Sequence, residues 1–203
     1  MSIERGREWG SSGPLPDDGV VVASDAELLH LVTRHRRAGT EVPPLALTGG
    51  DLWRTLGGSP GVERWRGEQG QRLRVDLGTA LLDGRLHWFC AHLVARHSWL
   101  RGRTWVAANA AHLGNWNVAP RAHPGDGLLD VLDADLATGQ RFGARRRLPS
   151  GTHVPHPGIR YTRTRAEQVD FERPTPIWLD GRRTGTARRL SVRLEGGALL
   201  IVV

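Results

Sequence analysis

Lysine is absent from the 203 residues, cysteine, methionine and tyrosine each occur once, and phenylalanine occurs three times. A single thiol, Cys90, excludes an internal disulfide framework and any cysteine-based zinc site, because both need several sulfurs at set spacings. No apolar run approaches the roughly 18 residues of a membrane-spanning helix, and the first thirteen residues lack the apolar segment of a secretory signal. A cytoplasmic protein, at most peripheral at a membrane, is expected.

Hydrophobic residues make up 39% of the chain and charged residues 24%, enough for a core to form. The 28 basic residues, all arginine, outweigh 21 acids and leave a formal charge of +7, so the surface favours anions. A GC-rich genome exchanges lysine for arginine without selection for binding, so the informative feature is distribution. Arg34, Arg36 and Arg37 form one cluster, Arg145, Arg146 and Arg147 a second, and Arg182, Arg183, Arg188 and Arg189 a third. Such clusters suit phosphates on a membrane surface or a nucleic acid. No helix-turn-helix, zinc or RNA-binding signature supports the nucleic acid.

Residues 1–19 are rich in glycine, serine and proline without periodicity and read as a flexible arm. Val20 to Ala23 reads as a strand, and Ser24-Asp25-Ala26-Glu27 has the spacing of a capping box. Leu28, Leu31 and Val32 supply the apolar stripe of the helix, which Gly39 ends. Leu45 to Leu47 is a second strand, Thr48-Gly49-Gly50 a turn, and Asp51 to Leu56 a short helix. After Pro60 the period changes to two, with Arg72, Arg74 and Asp76 alternating with Leu73, Val75 and Leu77. Further strands are expected at 87–94, 104–110, 159–164, 177–179, 190–194 and 198–203, with Asp83-Gly84 and Asp180-Gly181 among the turns and one helix at about 136–148. The class is α+β: a small truncated α/β unit at 20–58 followed by a mainly antiparallel, β-sandwich-like domain at 59–203.

The stretch NAAHLGNWNVAPRAHPGDGLLDV, from Asn109 to Val131, resembles the C-terminal domain of the diacylglycerol and sphingosine lipid kinase family. Asn109, Gly114, Pro120, Pro124 and the run from Asp126 to Val131 follow the family's order. GTHVPHPGI (151–159) and PIWLDG (176–181) resemble its later segments, and TGGDLWRTLGG (48–58) resembles its second nucleotide-side motif, GTGNDFARTLG. The resemblance implies ancestral transfer of the γ-phosphate of ATP to a lipid hydroxyl, with magnesium.

Measured against that family, three parts of the machinery are altered. Ser24-Asp25-Ala26-Glu27 stands where a GGDGT loop lets backbone N–H groups approach nucleotide phosphates. The strands and helices that precede this loop in the family have about twenty low-complexity residues in their place. Arg182 stands where the family's LDGE motif has an acidic general base, and a guanidinium accepts no proton at physiological pH.

By resemblance, Thr48, Gly49, Gly50 and Asp51 are the candidate nucleotide-binding residues, with Asp51 also a weak catalytic candidate; an N-cap is the competing reading of Asp51. Asp126, with the backbone oxygens of His123 and Leu128, would hold a structural magnesium, against a plain Gly-Asp-Gly turn. His153 and His156 lie in a proline-rich loop, a poor setting for a metal pair. Trp99, beside Arg96, Arg101 and Arg103, suits a membrane interface or an ordinary exposed loop. Two functions follow. One is a catalytically degenerate module that binds a lipid or an anionic membrane surface. The other is an active ATP-dependent lipid kinase whose nucleotide site is completed by a partner chain in a homo- or hetero-oligomer.

Overall fold

In the computed structural model, which describes residues 10–203, the chain begins with β1 (Gly10–Ser12), β2 (Val20–Val22), α1 (Asp25–Ala38), β3 (Leu45–Leu47) and α2 (Asp51–Thr55). Then come β4 (Gln71–Leu82), β5 (Arg85–Phe89), β6 (His92–Arg96), β7 (Thr104–Ala108), β8 (His112–Leu113), β9 (Trp116–Asn117) and β10 (Leu129–Ala134). The last elements are α3 (Thr138–Arg147), β11 (Ile159–Thr164), β12 (Ala166–Leu179) and β13 (Arg182–Val202). Of the arm expected at 1–19, residues 1–9 lie outside the described residues. Residues 10–12 instead pair antiparallel with β4, where they protect an otherwise open edge.

The capping box forms as its spacing predicts. Ser24 Oγ accepts the Glu27 N–H at 3.2 Å, and the Glu27 carboxylate accepts the Ala23 N–H at 2.8 Å. Gly39 ends α1 in the left-handed conformation. The short α/β unit is continuous with the rest: β2 runs parallel to β3, and β3 parallel to β13.

The main sheet follows the order β1-β4-β13-β12-β6-β7-β10-β11 and is antiparallel along that path. Ala80 and Leu82 of β4, Trp105 of β7, Val131 of β10 and Leu190 of β13 share one buried cluster, so distant parts of the sheet curl around a common core. Register shifts between Asp170 and Thr175 and between Glu195 and Leu199 provide the bends in β12 and β13. A second cluster packs Leu28 and Val32 of α1 and Leu52 of α2 against Val75, Leu199 and Ile201. A third lies around Val94, Val106 and Leu132, where Leu148 and Ile159 pack against them.

Candidate functional site

The strand expected at 87–94 is interrupted at Cys90-Ala91, and that break is the hub of the site. Asp180, at the Asp-Gly turn between β12 and β13, has a positive φ of 47°. Its buried carboxylate accepts the N–H groups of Cys90 at 2.7 Å and of Ala91 and His92 at 2.8 Å. Burial outweighs these bonds, and the Asp180 pKa is pushed up to about 7. On the other side of the break, Asn109 Nδ2 donates to the carbonyls of Asp76 at 2.8 Å and Cys90 at 2.9 Å.

Asp25 and Asp51 approach the same region from the α/β unit. The Asp25 carboxylate accepts the N–H groups of Asp51 at 2.5 Å and Leu52 at 3.2 Å, so Asp25 caps α2 from across the turn. Burial raises the Asp25 pKa to about 6. Gly50 holds the N-cap position and Asp51 lies inside the helix, which corrects the expectation of Asp51 as the cap. The Asp51 carboxylate reaches instead to the Gly114 N–H at 2.7 Å. Arg54 donates to the Gly114 carbonyl at 2.9 Å, and Thr55 Oγ1 accepts the Ala111 N–H at 3.0 Å. The TGGDLWRT and NAAHLG segments are thereby sutured together.

His92 lies 3.9 Å from Asp51 Oδ2, yet burial lowers its pKa to about 4, so the ring is neutral near pH 7. Its Nε2 is 2.9 Å from the Ala110 carbonyl, a contact in which a neutral ring protonated at Nε2 donates.

Of the four candidate nucleotide residues, Thr48 and Asp51 are committed to internal hydrogen bonds. Thr48 N–H and Oγ1 both donate to the Val22 carbonyl. A Cβ on Gly49 would meet the Ala23 carbonyl at 2.5 Å, and one on Gly50, whose φ is 101°, would meet Asp25 Oδ1 at 2.6 Å. The glycines therefore admit the neighbouring loop. Arg182 is exposed and lines a separate cleft beside α1, which none of Asp25, Asp51 and Asp180 lines.

In the proposed magnesium loop, the Asp126 carboxylate accepts the Leu128 N–H at 3.0 Å and pairs with Arg163. Arg163 also reaches Asp130 at 3.3 Å. The His123 carbonyl accepts the N–H groups of Gly125 and Asp126. The donor set does not fit a resident magnesium, since a guanidinium supplies the charge that the metal would bring. His153 Nε2 lies 3.1 Å from the Val118 carbonyl, while His156 Nδ1 accepts the Gly158 N–H, so the two histidines serve separate backbone contacts. Among the described residues, no group of three or more His, Cys, Asp or Glu side chains is arranged to hold a metal.

Trp99 belongs to an aromatic and cationic cluster. Its ring meets Trp116 edge-on at 5.2 Å, and Arg96 stacks over both Trp99 and Trp178. Beneath it is an apolar cavity of about 90 Å³ walled by Val106, Leu132, Leu136 and Ile159, with Arg141 and Arg145 among its lining residues. Leu100 and Phe142 are 53% and 57% exposed. From sequence, Asp25 reads only as part of a capping box and Asp180 only as a turn residue; the LDG turn itself is the available signal for Asp180.

A curled antiparallel β domain with a small α/β flank defines the class of the molecule, an α+β protein built on a β-sandwich-like sheet. The chain belongs to the family of the YegS C-terminal NAD kinase beta sandwich-like domain, whose model matches residues 81–203. It is similar to the crystal structure of a "putative diacylglycerol kinase" from Bacillus anthracis str. Sterne, with a TM-score of 0.69 and 14% identity over 91% of this chain and 77% of that one. A structure described as a diacylglycerol kinase from the same organism matches at a TM-score of 0.64 and 16% identity, over 91% of this chain and 75% of that one. At these identities the likeness is one of fold. No curated protein matches.

Proposed function

We propose that this chain is a catalytically degenerate relative of the lipid kinases that acts as a lipid-binding, regulatory module at an anionic membrane surface. The carrying observation is the closure of the Asp25 carboxylate onto the Asp51 and Leu52 N–H groups. The Asp51 and Leu52 N–H groups, backbone donors that would serve an anionic phosphate, are taken by Asp25, and the first loop's Ala23 N–H donates to the Glu27 carboxylate. Phosphoryl transfer rests on positioning and electrostatic stabilisation, so closing the cradle and replacing the base by Arg182 together remove its main sources of rate.

The lipid side retains what a membrane module needs. The apolar cavity beside Trp99 and Trp116 suits a short aliphatic segment, exposed Leu100 and Phe142 suit the acyl boundary, and Arg145, Arg146 and Arg147 follow on α3. Among the described residues no helix is long and apolar enough to cross a membrane. Vesicle flotation tests the reading: binding to vesicles containing phosphatidylglycerol, weakened by salt and independent of ATP, is expected. Failure to bind anionic vesicles at low salt would overturn it. Saturable ATP binding would instead favour the kinase completed by a partner chain.

A further inference from the structure

The arginines of this chain are not equivalent. Arg36 pairs with Glu195, Arg103 with Asp133, Arg160 with Glu167, and Arg189 with Asp170. Arg37, Arg182 and Arg183 have no ion pair among the described residues, and they line one cleft together with His30 and His87. That cleft, about 220 Å³, is walled by α1, β5, the end of β12 and the start of β13. No carboxylate lines it, whereas Thr33 and Thr184 add hydroxyl donors. The groups also sense one another: burial first, then Arg37 and Arg85, hold the His87 pKa below its ordinary value.

We propose that this cleft is a binding site for a phosphate-class dianion, with Arg182, Arg183 and Arg37 as its charged clamp. Like charges gathered without a counterion repel, and a doubly charged tetrahedral anion relieves that repulsion while accepting several charge-assisted hydrogen bonds. Guanidinium groups suit this task because their planar forks present paired donors. The inference gives Arg182 a role that its position after the LDG turn alone does not: the residue that stands in place of a proton acceptor supplies an anion clamp. It extends the reading of a degenerate kinase but does not need nucleotide binding or membrane insertion.

The ligand chemistry is shared by free phosphate esters and by phosphomonoester lipid headgroups, and the experiment separates them. Inorganic phosphate and glycerol 3-phosphate are titrated into the full chain by calorimetry, while phosphatidic acid vesicles are compared with phosphatidylcholine vesicles by flotation. The Arg182→Ser/Arg183→Ser variant is expected to lose about tenfold or more in affinity for the probe that binds. The Arg173→Ser/Arg193→Ser variant, which removes the same net charge elsewhere, is expected to keep the wild-type value. Binding of the soluble esters alone assigns a free phosphate ester, whereas binding of the vesicles that depends on Arg182 and Arg183 assigns a lipid headgroup. As a readout independent of those substitutions, the His87 ring resonances of the wild-type protein should move on addition of phosphate. No saturable binding of any probe, or equal loss in the two double variants, overturns the site. Loss of vesicle binding in a Leu100→Ser/Phe142→Ser variant with phosphate affinity intact would separate this site from the membrane reading.

Discussion

The Asp25 carboxylate and the Asp51 backbone N–H, twenty-six residues apart in sequence, meet at 2.5 Å. This bond joins the start of α1 to the start of α2 and turns inward the backbone of the segment that resembles a nucleotide-side motif. Asp180 performs the parallel task for Cys90, Ala91 and His92.

Replacing Asp25 should reveal a distinct pH signature. With a folded pKa near 6 and an ordinary value of 3.8, the folded chain holds the Asp25 proton over a window where the unfolded chain releases it. Wild type should therefore gain stability relative to Asp25→Asn as pH falls from about 7 to 4, by about 2–3 kcal/mol. His92 acts with the opposite sign, since its lowered pKa costs stability as pH falls from 6.5 towards 4, and the difference between the two proteins cancels it. Denaturant midpoints measured across this range check the point; a difference that is flat, or that reverses, contradicts it.

Arg163 should behave as the resident cation of the Asp126 loop. It pairs with Asp126 and Asp130, and Asp130 is buried and also accepts the Tyr161 hydroxyl at 2.6 Å. Arg163→Gln leaves these carboxylates uncompensated and should cost roughly 2–4 kcal/mol. Millimolar magnesium should leave the wild-type thermal midpoint unchanged. A rise of several degrees with magnesium would show that the metal, and not Arg163, organises the loop.

Leu100 and Phe142 should matter for membranes and little for folding. Both side chains are more than half exposed, so Leu100→Ser/Phe142→Ser should shift the thermal midpoint little, since surface substitutions of this kind change stability by about 0.5 kcal/mol or less each. Partition onto anionic vesicles should weaken about tenfold through the lost apolar contact. Unchanged partition would place the membrane contact elsewhere on the surface.

Features encoded within a few residues were legible before the structure. Ser24 and Glu27 cap locally, Gly39 ends its helix, and the Asp-Gly pairs at 83–84 and 180–181 make turns because both residues adopt positive φ. The strand at 159–164 and the helix near 138–147 also follow from local pattern. Long-range commitments were not legible. Nothing near Asp25 announces that its carboxylate caps a helix beyond the next strand, and nothing in the apolar run at 87–94 announces that Asp180 takes the N–H groups at its centre. The strand pieces expected at 190–194 and 198–203 are one strand, β13, whose bulge between Glu195 and Leu199 breaks the alternation. The site was legible as a set of motifs, while the internal use of each carboxylate depended on tertiary contacts.

ATP titration by calorimetry, with and without magnesium, tests most directly whether the nucleotide cradle is closed. The structure predicts no saturable heat at millimolar ATP, in the wild type and in Asp51→Ala alike. Saturable binding by the wild type that disappears in Asp51→Ala would contradict the degenerate reading and favour an active, ATP-dependent enzyme.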